Sequence, residues 1–174
     1  MSLPLMGFPG TISLRPSTLL AVLEDILSSL HNHGFRRILI INGHGGNIAS
    51  ISSAVHTVSR SLANLRVKHF EWWMDTEAYK AALEKMDRQA GSHASLGETS
   101  FMMAVRPSAV YMQELTGRDA PDLPSREFTT VQTFAVKYPD GIMGLDPRHA
   151  DRSTGEALLH KSAEICAREL EEWS

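Results

Sequence analysis

Three residues have types and spacings that could carry hydrolytic chemistry: His44, His93 and Glu98. His44 lies among Gly43, Gly45 and Gly46, directly after Ile38-Leu39-Ile40-Ile41-Asn42. An imidazole exchanges protons near neutral pH and is a common metal ligand. Glycines around it permit positive φ and close approach of an ion or substrate. In the plainer alternative the glycines make a tight turn and His44 caps the next helix. A phosphate-cradling loop is a third reading, but no Lys-Ser/Thr pair closes it and Ile48 stands where GxGxxG needs glycine. His93 and Glu98 are five residues apart across a loop-to-helix junction, a spacing that can bring an imidazole and a carboxylate to one cavity. Ser95 and Glu98 also have capping-box spacing, in which Glu98 would only reach back to the helix start.

The elements that must hold these residues follow from periodicity. Pro16 followed by Leu19, Leu20, Leu23, Ile26, Leu27 and Leu30 predicts an amphipathic helix over 16–33, with Gly34 at its C-terminal cap. The run from Arg36 to Asn42 predicts a strand apolar on both faces, as in a parallel sheet. Helical spacing over 47–63 and alternation over Leu65–Phe70 complete a β-α-β unit. Further helices are predicted over 75–88, Ser95–Val105 and 152–173, with a possible strand over Val131–Val136 and a turn at Tyr138-Pro139-Asp140-Gly141. Alternating helix and strand argue for a three-layer α/β/α sandwich with a mainly parallel sheet, as a single domain over 1–174. Parallel sheets bind ligands beyond the carboxyl ends of their strands, where His44 falls.

The bulk properties remove other classes. A chain of 174 residues, 43% hydrophobic and 21% charged, can bury a core, so most of it should be ordered. A net charge of -3 and scattered basic residues argue against nucleic acid as a partner. No apolar run is long enough for a membrane helix, and a cytoplasmic location is expected. Cys166, alone in the sequence, can form no internal disulfide and reads as an ordinary half-buried thiol. His31, His33, His56 and His160 read as ordinary residues of helical stretches and His69 as part of a strand pattern, and Asp140 and Asp146 read as a turn-rich loop without EF-hand spacing. Trp72 and Trp73 could wall a pocket, although aromatic residues at a strand end more often serve a core; Trp73 and Asn47 are the candidate substrate contacts. Met1-Ser2-Leu3 reads as an expression-vector leader, to be left out of fold reasoning.

Phe8-Pro9-Gly10-Thr11, the Asn42–Asn47 loop, the His93–Ser100 segment and Tyr138-Pro139-Asp140-Gly141 occur in an order that resembles the creatininase (creatinine amidohydrolase) family. The resemblance covers almost the whole chain. It implies a three-layer fold, a two-metal site holding zinc or manganese, and a homo-oligomer, usually a hexamer. It further implies that His44 ligates one metal, Glu98 the other, and that His93 assists proton transfer as a metal-activated water attacks an amide carbonyl. Members that hydrolyse creatinine carry a glutamate where this chain has Gly46. The glycine form resembles the branch acting on formamide-type pyrimidine intermediates or small peptide amides. The family's N-terminal segment, which supplies a Glu, a His and a bridging Asp, is expected before Phe8 and has no counterpart here. The chain is therefore expected to lack that strand, to expose apolar surface, to bind metal weakly and to hydrolyse little by itself. A non-catalytic relative that keeps only the fold, as an oligomeric scaffold, is the alternative.

Overall fold

A computed structural model describes residues 2–71, 93–115, 120 and 130–173. The predicted helix over 75–88, Trp72, Trp73 and most of the 117–126 loop lie outside them. The chain divides into two compact units: Met1–Leu3, Ile12–Met74 and Cys166–Ser174 form the first, and Pro4–Thr11 with Asp75–Ile165 form the second.

In the first unit, helix α1 (Pro16–Asn32) starts on a proline, whose missing N–H costs nothing at that position. It ends in a Schellman motif. The Phe35 amide donates to the Leu30 carbonyl, the Gly34 amide to that of His31, and Gly34 takes φ +92°. Strand β1 (Arg37–Asn42) leads into helix α2 (Ile48–Ser59), which buries Ile51, Ala54 and Val58 at helical spacing and packs on α1. Strand β2 (Arg66–Glu71) then pairs with β1 in parallel, in register from Arg37 opposite Arg66 to Asn42 opposite Glu71. The predicted β-α-β unit is therefore present.

One expectation fails for β1. Ile38, Leu39 and Ile40 are half-buried and Ile41 is 63% exposed, so the strand is not buried on both faces. Four consecutive apolar β-formers record a preference for extended backbone but not how many layers cover them. Trp173 closes this unit from far along the chain. It is 6% exposed, with Lys68 Nζ 5.1 Å and Arg66 Cζ 5.8 Å from its ring, and its carbonyl accepts from the Arg37 guanidinium. Lys68 also pairs with Glu169 at 3.1 Å.

The second unit is built around Phe134, Tyr138, Ile142, Met143 and Ala120, with Leu5 and Phe8 packed against them. Phe134 meets Tyr138 at 5.0 Å and Phe8 edge-on at 6.2 Å. The Phe8 ring also lies 3.5 Å from where a Cβ on Gly141 would stand, and Gly141 takes φ +78°. Residues 131–136, expected as a strand, belong instead to the helix Val131–Lys137. Thr130 and Thr133 form a reciprocal capping box, and Val131, Phe134, Ala135 and Tyr138 fall on one buried helical face. That spacing overrides the strand propensity of the β-branched residues. Asp146, expected in a turn-rich loop, caps the short turn Pro147–His149 and grips Arg148 through two contacts of 2.7 and 3.0 Å. That guanidinium holds the Asp146 carboxyl below its ordinary range.

Two further helices of this unit meet with almost no space between them. A Cβ on Gly155, in the helix Arg152–Glu171, would stand 1.8 Å from the Ser100 carbonyl oxygen in the helix Leu96–Val105. The buried Ser100 hydroxyl accepts from the Asp151 amide at 3.1 Å, beside the same contact. We designate Leu96–Val105 α3, Val131–Lys137 α4 and Arg152–Glu171 α5. No described helix is long and apolar enough to cross a membrane.

Gly155→Ala improves helix propensity, yet it must lower stability by about 1–3 kcal/mol through overpacking. Urea denaturation should give a lower midpoint at an unchanged slope. Asp151 caps α5, accepting from the Ser153 and Thr154 hydroxyls and the Thr154 amide, which hold its carboxyl at about 2 against an ordinary 3.8. A depressed carboxyl contributes its full stability above the ordinary value and loses it as pH falls through the folded one. Asp151→Ala should therefore cost about 1 kcal/mol at neutral pH. In pH-dependent unfolding, the gap to the unsubstituted protein should close as pH falls from the ordinary 3.8 to about 2.

Candidate functional site

The loop after β1 is organised by Asn42, the last residue of that strand. Asn42 is 3% exposed, and its Oδ1 accepts from the His44 amide at 3.2 Å and from Asn47 Nδ2 at 3.3 Å. His44 is extended, and its carbonyl accepts from the Asn47 amide at 3.0 Å as the chain turns through Gly45–Asn47 into α2. Its Nε2 lies 3.4 Å from the Ser2 hydroxyl, and the Ser2 amide donates to Ser13 Oγ at 3.0 Å. The leader-like segment at the start of the chain thus takes part in this corner of the structure.

The glycines here act differently from the expectation. Gly43, Gly45 and Gly46 are not among the described glycines with positive φ, which are Gly10, Gly34, Gly141 and Gly144. Gly43 borders open space, where an added Cβ would meet nothing within 4 Å. Asn47, a candidate substrate contact, directs its side-chain amide at Asn42. Across the strand pair, Asn42 Nδ2 faces Glu71 Oε1 at 3.5 Å, and His69 Nδ1 is 2.6 Å from the same oxygen. Sequence reasoning missed Asn42 and Glu71. The available signal was the pairing arithmetic, since two parallel strands of equal length bring their last residues side by side.

His93 and Glu98 belong to the second unit, whereas His44 belongs to the first. His93 is held by an antiparallel bridge to Met143: its amide donates at 3.3 Å and its carbonyl accepts at 2.8 Å. The Leu96 amide donates to the Leu145 carbonyl at 3.0 Å, so the extended piece around Met143 fixes both sides of the turn into α3. Between them, Ala94 takes φ +46°, a left-handed conformation that costs an L-residue roughly 1–2 kcal/mol. Glu98 Oε2 accepts the Ala94 amide at 2.7 Å and so sits in the first turn, where the helix dipole favours negative charge. This is half of the expected capping box, moved by one residue. Ser95, the N-cap, makes no side-chain cap, and its fully buried hydroxyl has no hydrogen-bond partner among the described residues. The structure therefore joins His93 and Glu98 at one helix entrance.

A family model described as creatininase, creatinine amidohydrolase, matches residues 1–170. The chain belongs to the creatininase family. It is 26% identical over 171 residues to a creatinine amidohydrolase of Pseudomonas putida, covering 92% of this chain and 63% of that protein. It is 28% identical over 169 residues to a mycofactocin precursor peptide peptidase of Mycolicibacterium smegmatis, covering 96% of this chain and 61% of the relative. The chain spans about three-fifths of the length of these curated relatives. A solved structure, "Creatininase Mn", superposes with a TM-score of 0.81 at 25% identity, covering 95% of this chain and 67% of the other. The creatininase fold, α/β with a parallel sheet, is thus the fold of this chain, as expected.

Replacing Glu98 separates its capping role from any further one. Glu98→Ala should lower stability by about 1 kcal/mol in chemical denaturation. Glu98→Gln, which keeps an oxygen for the Ala94 amide, should lose less than half of that.

Proposed function

We propose that the creatininase-family site of this chain is a metal-dependent amidohydrolase site acting on a cyclic amide, a formamide or a small peptide amide. The observation that carries this reading is the entrance of α3. There the Glu98 carboxylate binds the Ala94 amide, next to the bridge-held His93. Residues bearing a carboxylate and an imidazole thereby flank one turn, a pairing of types suited to cation binding beside proton transfer.

In this reading His44 and Glu98 hold divalent cations, zinc or manganese, and His93 is the catalytic proton carrier. An imidazole and a carboxylate fit such cations in kind. In number they fall short of the three or four ligands a site needs, and among the described residues no three His, Cys, Asp or Glu side chains form a group suited to a metal ion. A bound cation supplies Lewis acidity, which acidifies water and polarises an amide carbonyl. His93 takes the proton released as oxygen adds to the carbonyl carbon and returns it to the departing nitrogen. Both proton transfers run through one imidazole, which ends in its starting state.

Gly46, in place of the glutamate of creatinine-hydrolysing members, favours an amide other than creatinine. The peptide peptidase among the curated relatives supports the same choice. Asn47 and Trp73 are the proposed substrate contacts. A cytoplasmic homo-oligomer, hexameric by family resemblance, completes the reading.

With Mn²⁺ or Zn²⁺ added, the chain should take up metal. It should cleave a small peptide amide or formamide faster than creatinine. His93→Ala should lower kcat by about 10²–10⁴-fold at unchanged metal content. His44→Ala and Glu98→Ala should reduce metal uptake. Metal uptake and turnover untouched by all three substitutions would defeat the reading in favour of a non-catalytic scaffold.

A further inference from the structure

A glycine-flanked histidine gains little fixity from its own backbone, because glycine leaves a chain more conformational freedom than any other residue. In the loop after β1 one side chain contributes to that fixity at two points. Asn42 Oδ1 receives the His44 amide at 3.2 Å and Asn47 Nδ2 at 3.3 Å, so a single oxygen ties together the two ends of the segment that contains Gly45 and Gly46. Asn42 is itself immobilised. It is buried, it is the last paired residue of β1, and its register partner is Glu71. Its Nδ2 faces Glu71 Oε1 at 3.5 Å, and that oxygen is gripped by His69 Nδ1 at 2.6 Å.

The donor and acceptor pattern specifies asparagine at this position. The loop presents two N–H donors to one end of the side chain and β2 presents a carboxylate to the other, so the group between them must accept on one side and donate on the other. An amide does both. A carboxylate would satisfy the loop but repel Glu71, and an aliphatic side chain would leave the half-buried His44 amide without this acceptor.

We propose that Asn42 is a positioning residue for His44, held in turn by Glu71 and His69 from the neighbouring strand. It holds the loop backbone at His44, from which the imidazole projects. This assignment rests on the reading of His44 as a cation ligand only for its effect on metal. Its effect on loop order stands apart from that reading. Groups that orient a metal-binding histidine commonly change metal affinity by about 10–100-fold when removed.

The test uses the full chain, with Mn²⁺ alone as the probe, and two measurements: amide hydrogen exchange of residues 43–47 without metal, and Mn²⁺ affinity by titration calorimetry. Asn42→Ala should speed exchange at His44 and Asn47 by about tenfold or more and weaken Mn²⁺ by about 10–100-fold, as loss of an orienting group does. Asn42→Asp alone should be intermediate. Asn42→Asp combined with Glu71→Gln exchanges the donor and acceptor between the two positions and should restore slow exchange and affinity. That rescue also keeps the proposal testable if Asn42→Ala does not fold. Exchange and affinity in Asn42→Ala equal to those of the unsubstituted protein would overturn the proposal, as would a double substitution no better than Asn42→Asp. If His44→Ala leaves Mn²⁺ binding unchanged, or the unsubstituted chain binds none, the ligand reading of His44 falls. The exchange measurements then decide the positioning role by themselves.

Discussion

The Ser100 carbonyl oxygen and the bare Cα of Gly155 make the contact on which the second unit depends. Two helices meet there with no side chain between them, because even a methyl group would overlap the oxygen. Such a crossing tolerates little rotation or sliding of either helix, since interiors packed at this density answer displacement with overlap. Ser100 fixes the crossing a second time, accepting the Asp151 amide just before α5 begins. Glu98 lies two residues before Ser100, so the depth at which α3 packs also sets where its carboxylate can reach. The bridge from His93 to Met143 and the bond from Leu96 to Leu145 then bring the chain into α3 at a fixed angle. A left-handed alanine between two such anchors follows from the geometry they impose.

The helix and strand pattern of the first unit was legible because local signals agreed with one another. Proline at the start of α1, glycine after its end and leucines at helical spacing all specify one element, and consistent local signals are what make a sequence readable. The region around Val131 is the counter-case. Its β-branched residues, Val131, Thr133 and Val136, favour extended backbone, while Thr130, Thr133, Phe134 and Tyr138 carry the helical information. Counting the capping pair and the aromatic spacing together would have favoured the helix. Burial of β1 was less accessible, because exposure depends on neighbours far away in sequence.

The site divides in the same way. His93 and Glu98 were singled out as candidates from spacing; in the fold His93 is bridged to Met143 and Glu98 binds the amide of the next residue, Ala94. The shift of the cap from Ser95 to Ala94 was not legible, since it depends on the φ of Ala94, which the bridge to Met143 constrains. Asn42 and Glu71 escaped notice because each is an ordinary polar residue at the end of an apolar strand, and only the parallel register makes them neighbours. The two aromatic-and-glycine motifs that helped carry the family resemblance are also partners in packing. Phe8 lies over Gly141, so their joint occurrence reflects one contact within the second unit.

The anchoring of Trp173 has a consequence for how the chain acquires its structure. Arg37 and Trp173 are 136 positions apart, and Lys68 and Glu169 are 101 apart, yet both pairs close the first unit. That unit is therefore discontinuous in sequence, completed by residues at the far end of α5. During synthesis its strand pair must wait until the residues after Ile165 have been made before Trp173 can cover β2. Non-local closures of this kind slow folding, because the entropy of a long loop is lost before the contact forms. Over that interval the strand pair lacks its cover, and the order in which the ribosome releases the chain becomes part of how the protein avoids misassembly.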